Sequence, residues 1–230
     1  LVRSRGLGDV YKRQAHRGVL FLDEFPEFRK DTLEALRQPI EDGFVTITRA
    51  SARSTYPAQF MLVAAMNPCP CGNYGSRITP CRCTAQQIQR YRNRISGPML
   101  DRIDIHVEMG EVGYNDIAGR SCGEPSSAIR ARVNAARAIQ TRRYAGMGIL
   151  FNAQLTNRMM NQYCVLTSDA ESLMKKAFAA LKLSARAYTR LLKVSRTIAD
   201  LAGSEQIKAE HIAEAIQYRS LESKYWGEIK

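Results

Sequence analysis

The sequence predicts an α/β core followed by an all-helical C-terminal region. Two short apolar segments, Val19–Leu22 and Phe60–Met66, end in polar residues and have the length of fully buried parallel strands. Between them, Phe44–Thr48 alternates apolar and polar residues and the chain returns through Ser54–Tyr56, which indicates a β-hairpin. From Pro125 onward the apolar residues recur at helical spacing, so the second region is predicted to be helical.

Caps and breakers set the remaining elements. Asp31–Gln38 is predicted as a short helix that Pro39 kinks or ends, because proline lacks the amide hydrogen that a helix interior needs. Ile103–Met109 alternates strictly and is predicted as a half-exposed strand, with His106 on its polar face. The helices predicted in the second region are Ser126–Tyr144, Asp169–Leu181 behind a capping box of Ser168 and Glu171, a helix from Ser184 to Gly203, and Lys208–Tyr218.

Composition excludes several classes of protein. Hydrophobic residues make up 45% and charged residues 24% of the 230-residue chain, which is ordinary for a globular protein. The apolar runs are too short to cross a bilayer and no signal peptide is visible, so we expect no membrane partner and a cytoplasmic location.

The charge is concentrated in the second half of the chain. Residues 15–124 carry 13 basic and 13 acidic side chains, whereas residues 125–230 carry 17 basic and 8 acidic ones, so their net charge is +9. A basic region of this kind suggests nucleic acid as a partner. Helices with solvated lysine and arginine faces explain the same numbers, and charge alone does not separate the two interpretations.

The first fourteen residues, "LVRSRGLGDVYKRQ", do not fit the pattern that follows. They resemble the translated end of a transposon-type sequencing adapter, and we expect the natural sequence to begin near Ala15. A disordered basic arm is the alternative. The predicted domains are residues 15–124, the α/β core, and residues 125–230, the helical region.

Polar side chains follow both predicted buried strands. Asp23 and Glu24 end the first strand, and Asn67 ends the second. Ligands gather at the C-terminal ends of strands in open α/β sheets, where an acid can hold Mg²⁺ and a second acid can polarise a water. Taken singly, the acids also suit a helix cap and the asparagine suits a turn before Pro68.

Arg102 lies just before the predicted strand at Ile103. A guanidinium at this place can reach a phosphate, including one across a subunit boundary. An ion pair with Asp101 or Asp104 within the chain is the alternative.

Four cysteines form a compact motif of C-x-C, nine residues, C-x-C, made up of Cys69, Cys71, Cys81 and Cys83. Four thiolates make a closed tetrahedral zinc site, and zinc would brace a loop too small to have its own core. Free thiols or facultative disulfides remain as alternatives. The same region suggests a second nucleic-acid contact, built from Arg77, Arg82, Arg90, Arg92 and Arg94 with Tyr74 and Tyr91 between them.

These motifs, in this order, resemble the magnesium-chelatase-like branch of the AAA+ ATPases, the YifB and ComM family. "GVLFLDEFPEF" is similar to the family's Walker B strand and "FMLVAAMNPCPCG" to its sensor-1 strand. "ISGPMLDRIDIHVEM" is similar to its arginine-finger segment and "LSARAYTRLLKVSRTIADLAG" to its sensor-2 helix. The resemblance extends from about Ala15 to Tyr218 and implies a partial AAA+ core with a hairpin before sensor 1, followed by an all-α lid.

The resemblance also implies roles for single residues. Asp23 would hold Mg²⁺ with ATP, Glu24 would activate the hydrolytic water and Asn67 would sense the γ-phosphate. Arg102 would complete the site of the next subunit in a ring, which we expect to be a hexamer, and Arg186 would reach the nucleotide from the lid. The hairpin would project toward a central pore, where Arg49 and Arg53 beside its tip would contact DNA.

The family's phosphate-binding loop, G-x-x-x-x-G-K-[ST], matches no stretch of this sequence. We therefore expect this chain alone to be a fragment that binds ATP poorly and is inactive, with the loop upstream in the parent protein. The function implied is an ATP-hydrolysing motor acting on DNA. The alternatives are an ATPase subunit of magnesium chelatase, which drives metal insertion, and a non-catalytic binding remnant.

Overall fold

A computed structural model describes residues 12–49, 52–111, 123–181 and 183–226 of the chain. The chain divides into two compact units. The first unit runs to Ile103 and takes in the chain from Glu222, and the second unit covers Asp104–Leu221. The predicted domain boundary between residues 124 and 125 follows residues 112–122, which lie outside the described ranges, and it stays a prediction. The proposed adapter segment lies almost wholly outside them as well.

The first unit contains a parallel pair of strands, β1 (Val19–Leu22) and β4 (Met61–Ala64), in a register that sets Leu22 opposite Ala64. The inward-facing Leu20, Leu22 and Leu62 pack against the core of this unit. The other face of the pair is exposed at Val19, Phe21, Met61 and Val63. The prediction of fully buried strands is therefore wrong for one face, because the described residues cover only the other.

Between these strands lies the antiparallel hairpin of β2 (Phe44–Arg49) and β3 (Ala52–Pro57). Its pairing runs from Phe44 opposite Pro57 to Arg49 opposite Ala52, and the hydroxyls of Thr46 and Thr55 lie 3.2 Å apart across the ladder. The predicted hairpin is thus present, with strands slightly longer than expected.

Short helices complete the first unit: α1 (Lys30–Glu34), α2 (Arg37–Asp42), α3 (Ala85–Arg92) and α4 (Gly97–Leu100). The predicted helix breaks before Pro39, which sits in the first turn of α2, where its missing amide hydrogen is not needed. The helices enclose a core of Phe25, Leu33, Leu36, Ile95, Met99 and Leu100.

From Ser126 onward the described chain is mainly helical: α5 (Ser126–Arg143), α6 (Asn157–Tyr163), α7 (Ser168–Ala180), α8 (Ala185–Leu201) and α9 (Ala209–Trp226), which extends past the end of the second unit at Leu221. Ser184 caps α8 by accepting a hydrogen bond from the Ala187 amide, and Gly203 follows its end at φ +66°, both as predicted. The cap of α7 is Thr167 rather than Ser168. No described helix is long and apolar enough to cross a membrane.

The predicted strand at Ile103–Met109 belongs to no sheet within the described residues. The chain is extended there, and the His106 amide donates to the carbonyl of Tyr218 in α9. Ile105, Val107 and Met109 are exposed while His106 is half-buried, so the apolar face lacks the burial expected of a half-exposed strand.

Candidate functional site

The turn that leaves β1 presents two carboxylates to solvent. Asp23 and Glu24 are both exposed, and a carboxylate oxygen of Asp23 accepts a hydrogen bond of 2.8 Å from the Glu24 amide. Glu24 has a left-handed backbone with φ 49°, which costs a non-glycine residue about 1 kcal/mol or more. The neighbouring Phe25 side chain is 1% exposed and holds the turn to the core.

Backbone hydrogen bonds tie this turn to the end of β4. The Ala65 amide donates to the Leu22 carbonyl at 2.9 Å, and the Phe25 amide donates to the Ala65 carbonyl at 2.9 Å. Asn67, two residues further, is exposed. Because the strands are parallel and in register, Asp23, Glu24 and Asn67 leave the same edge of the pair. This edge offers two acids and one neutral amide, a donor set that suits Mg²⁺ and phosphate oxygens.

Arg102 is buried within the first unit and is 6% exposed. Its Nε donates to the Glu41 carboxylate at 3.1 Å, its Nη2 donates to the same carboxylate, and its Nη1 donates to the Pro98 carbonyl. An intramolecular ion pair was the alternative for this residue, and the acid is Glu41, 61 residues away in sequence. The arginine-finger role stays a prediction and requires Arg102 to leave Glu41.

The remaining predicted cations lie on exposed elements. Arg53 is exposed on β3, opposite Thr48. Arg49 ends β2 in register with Ala52, while its side chain and the tip residues 50 and 51 lie outside the described part. Arg186 is exposed in the first turn of α8, in the second unit. The DNA and nucleotide contacts assigned to these arginines stay predictions.

The four cysteines meet at one point, and their sulfur atoms all lie within 4.8 Å of one another. The Sγ of Cys69 is 3.4 Å from that of Cys71 and 3.7 Å from that of Cys81, and the Sγ atoms of Cys71 and Cys81 are 3.6 Å apart. Four ligands about 2.3 Å from a tetrahedral zinc ion lie about 3.8 Å from one another. The cluster therefore fits a tetrahedral metal ion.

The thiols of the cluster differ in acidity. Backbone amide hydrogen bonds from Asn73 and Arg82 lower the pKa of Cys71 to about 6. Desolvation and the neighbouring thiols raise the pKa of Cys83 to about 12. A metal ion that binds here must therefore displace protons from part of the cluster, since the thiolate is the ligand.

The proposed second nucleic-acid contact is wrong for two of its members. Tyr91 is 5% exposed and Arg92 is 3% exposed, so both face the interior. Arg94 pairs with Glu27. Arg82 and Arg90 are exposed, as a nucleic-acid contact requires. The sequence motif gave no sign that α3 turns its last two residues toward the cysteine loop (residues 68–84), because that depends on contacts across 24 residues.

His106 is half-buried rather than a surface residue. Neither ring nitrogen has a hydrogen-bond partner among the described residues. Burial, together with the cation of Arg219, lowers the pKa of His106 to about 4, against the opposing effect of Asp104. The histidine is therefore neutral at pH 7.

A second buried group of polar side chains went unnoticed in the sequence. Asp200 on α8 accepts hydrogen bonds from Arg143, Arg196 and Asn152 inside the second unit. Its only sequence signal is an acid placed four residues after Arg196 on the buried face of a helix. All four side chains lie within one helical unit, which makes them structural supports of that unit.

Comparison with known proteins assigns the family. Residues 7–117 match the profile described as magnesium chelatase, subunit ChlI, and residues 123–219 match that of the ChlI C-terminal region. The chain is 47% identical over 208 residues to the competence protein ComM of Haemophilus influenzae and 45% identical over 209 residues to the protein YifB of Salmonella typhimurium. Each alignment covers 90% of this chain and 40% of the relative, so the chain spans about 40% of their length.

A more distant relative is the zygotic DNA replication licensing factor mcm6-A of Xenopus laevis. It is 23% identical over 213 residues, which is 88% of this chain and 24% of that protein. The two family profiles cover the α/β region and the helical region in turn, and they confirm the predicted fold class of an AAA+ core followed by a helical lid. The chain belongs to the magnesium chelatase ChlI family of AAA+ proteins, together with YifB and ComM.

Proposed function

We propose that this chain is the Walker B to lid segment of an ATP-hydrolysing motor that acts on DNA as a ring, with six subunits as the expected size. The observation that carries the proposal is the common edge of β1 and β4, from which Asp23, Glu24 and Asn67 emerge in the order that the family uses. Family membership supports ATP and Mg²⁺ as the cofactors.

The exposed side chains at this edge suit a division of labour. The Asp23 carboxylate would hold Mg²⁺, either directly or through water. The exposed Glu24 carboxylate would accept a proton from the attacking water. The Asn67 amide would hold a phosphate oxygen or the water without adding charge. Arg102 from the adjoining subunit and Arg186 from the lid would stabilise the charge that develops on the phosphate.

DNA is the proposed substrate of the motor. The hairpin of the first unit carries the exposed Arg53 and, at the end of β2, Arg49. Residues 125–230 have a net charge of +9, which suits a polyanion. Two relatives are named as a competence protein and a DNA replication licensing factor.

The cysteine cluster is proposed to hold a structural zinc ion. The separations between its sulfur atoms match tetrahedral thiolate coordination, and Cys69 at its centre is fully buried. Cysteines that are not paired in disulfides suit a reducing compartment, so we place the protein in the cytoplasm.

A second candidate is the ATPase subunit of magnesium chelatase, which the family's own name favours. The two candidates differ in what stimulates hydrolysis. A DNA motor responds to DNA, whereas a chelatase subunit responds to its partner subunits. The basic helical region and the cysteine loop favour the DNA motor.

The experiment uses a chimera in which residues 15–219 replace the matching segment of Haemophilus influenzae ComM. We expect ATP turnover that DNA stimulates, and we expect Glu24→Gln to reduce turnover at least 100-fold, since general-base catalysis contributes roughly 10²–10⁴ in rate. Nucleotide affinity should change less than about threefold.

The matched control is Asp31→Asn, which removes an exposed acid from α1 and should leave turnover unchanged. Wild-type turnover in the Glu24→Gln chimera would remove Glu24 from its role. A wild-type chimera without ATP turnover would overturn the proposed function of this segment.

A further inference from the structure

The last turn of α3 contacts the peptide that leads from β4 into the cysteine loop. Arg92 is 3% exposed, and its Nε donates to the Pro68 carbonyl at 3.3 Å. Its guanidinium lies 4.6 Å from the ring centroid of Tyr74, a residue of the loop itself. One side chain thus fixes both the entry of the loop and its middle.

Tyr91 holds the same peptide one residue earlier. The side chain is buried, and the backbone N–H of Asn67 lies close enough to its hydroxyl to lower the pKa of Tyr91. Burial and the charge of Glu27 raise the pKa of Tyr91, while the hydrogen bond from Asn67 opposes them. Arg92 therefore holds the Asn67–Pro68 segment through the Pro68 carbonyl, and the Tyr91 hydroxyl lies beside the backbone N–H of Asn67.

The next residue belongs to the cysteine cluster. Cys69 is fully buried, and its sulfur is among those within 4.8 Å of one another. Two residues of extended chain span at most about 7 Å, so Asn67 and Cys69 are joined by a short tether. The cluster and the strand end cannot move far apart.

The other end of the loop is tied to α3 directly. Thr84 follows Cys83 and caps α3 with a reciprocal pair of hydrogen bonds to Gln87, 3.2 Å and 2.8 Å long. Cys83 is thus fixed at the start of α3, and Tyr91 and Arg92 act from its end. The eight-residue helix is about 12 Å long and acts as a rigid connection between Cys83 at its start and the Tyr91–Arg92 pair at its end.

We propose that Tyr91 and Arg92 are positioning residues that couple metal occupancy of the cysteine cluster to the placement of Asn67. This rests on the proposed role of Asn67 in the nucleotide site. A metal ion bound by all four sulfurs holds Cys69 and Cys83 in place. Through α3, this constraint reaches the backbone N–H of Asn67. By linkage, whatever orders the Asn67 peptide also tightens metal binding by the same factor.

The first test measures metal affinity on the reduced chain by Co²⁺ absorption and by Zn²⁺ competition with a chromophoric chelator. Arg92→Gln should weaken binding roughly 10-fold or more, as loss of groups that orient metal ligands typically does. Arg90→Gln, which removes an exposed charge from the same helix, should stay within about twofold. Equal affinities in Arg92→Gln and wild type would overturn the proposal.

Tyr74→Leu tests the contact between Arg92 and the loop without removing the buried cation, in case Arg92→Gln does not fold. Loss of the ring beneath the guanidinium should weaken metal binding about 2- to 5-fold, the size of a partly exposed cation–π contact. Arg92→Lys keeps the charge but loses the planar stack, and it should fall between Arg92→Gln and wild type.

The second test follows hydrogen exchange of the backbone N–H of Asn67, which needs no ATP turnover. Zinc should slow exchange of this amide at least 10-fold in the wild-type chain and much less in Tyr91→Phe, which lacks the hydroxyl acceptor. Zinc-independent exchange of Asn67 in the wild type would overturn the coupling.

The third test uses the ComM chimera and separates this proposal from the proposed function. Removal of zinc should lower kcat at nearly unchanged KM in the wild-type chimera, and Arg92→Gln should show a low kcat that no longer responds to zinc. A chimera that never hydrolyses ATP, with zinc-dependent exchange at Asn67, would refute the proposed function and leave the coupling standing. Turnover that ignores zinc, together with zinc-independent exchange, would refute the coupling alone.

Discussion

At the scale of single residues, Asp200 is the acid around which the buried polar side chains of the second unit gather. The side chain is 0% exposed, and it accepts hydrogen bonds from Arg143 at 2.6 Å and 2.9 Å, from Arg196 at 3.1 Å and from Asn152 at 2.8 Å. One carboxylate thus balances two guanidiniums, and the remaining donors of Arg196 reach the carbonyls of Ser204 and Glu205. Removal of the acid would leave the buried Arg196 and the half-buried Arg143 without this counter-charge.

We predict that Asp200→Asn lowers the free energy of unfolding by about 3 kcal/mol, because breaking a buried ion pair from one side strands the other charge. Glu205→Gln removes an exposed acid nearby and should change the free energy of unfolding by less than about 0.5 kcal/mol. Urea denaturation followed by circular dichroism measures both. An Asp200→Asn chain as stable as the wild type would show that the arginines find other partners.

His106 makes the stability of the second unit depend on pH. Its folded pKa of about 4 lies below the ordinary 6.5, with Arg219 lowering it and Asp104 raising it. The unfolded chain therefore takes up the proton first, so the stability that the neutral ring contributes is complete above pH 6.5 and is lost as the pH falls toward 4. The full shift corresponds to about 3 kcal/mol at most.

We predict that His106→Leu flattens the fall in unfolding free energy between pH 6.5 and pH 4, because leucine has no proton to gain. The measurement compares urea unfolding of the variant and the wild type at pH 7, 5.5 and 4. Parallel curves for the two proteins would assign the acid sensitivity to other groups.

The sequence predicted which residues lie at the edge of the site, but it did not predict the contacts around that edge. Asp23, Glu24 and Asn67 follow apolar runs in the sequence, and strand period alone places them at strand ends. The sequence indicates an exposed Arg92 and offers Asp101 or Asp104 as partners of Arg102. In the structure these arginines meet Pro68 and Glu41, across 24 and 61 residues. Such pairings depend on tertiary packing, which local periodicity does not encode.

At the scale of elements, the hairpin is the part of the first unit best suited to a polyanion. Its two strands pair from Phe44 to Arg49 and from Ala52 to Pro57, and Val45 anchors the base with 4% exposure. Arg53 is exposed one residue from the tip side of the ladder. Cationic side chains on such a ladder neutralise phosphates without reading bases.

We predict that Arg49→Ala combined with Arg53→Ala weakens binding to single-stranded DNA and reduces the slope of log K against log salt by about 1.4, since each lost phosphate contact on a single strand removes about 0.7. The matched control, Arg29→Ala with Lys30→Ala, removes the same charge from the exposed start of α1 and should leave the slope unchanged. Fluorescence anisotropy over a salt series measures both. Equal losses in the two double variants would show that net charge, rather than the hairpin, sets affinity.

Element boundaries show where sequence patterns run out. The β-hairpin, α5 and α8 agree with the sequence within about two residues at their ends, because strong alternation and caps mark them. The strand expected at Ile103–Met109 is extended without a described partner, since strand formation needs a neighbour as well as an alternating pattern. The Val19 and Phe21 face of β1 is exposed for a different reason, since β1 pairs with β4 but the described residues cover only the other face of the pair.

At the scale of the whole molecule, each unit has its own apolar core. Phe25, Leu33 and Met99 belong to that of the first unit, and Leu191, Ile207 and Ile212 belong to that of the second. The cysteine cluster lies in the first unit and the Asp200 network lies in the second. Removal of a metal ion from the cysteines therefore perturbs the first unit, and substitution of Asp200 perturbs the second.

We predict that scanning calorimetry of the reduced, zinc-loaded chain resolves a transition that chelation lowers by roughly 10 °C, since 1 kcal/mol moves Tm by roughly 4–8 °C in a domain of this size and metal sites contribute at least about 2 kcal/mol. The helical transition should stay in place on chelation and fall instead in Asp200→Asn. Added zinc should restore the first transition, and metal analysis should find about one zinc per chain, as a site of four thiolates requires. A chain that keeps both transitions after chelation would show that the four sulfurs meet without a metal, and that Cys69 is held by Arg92 and the core alone.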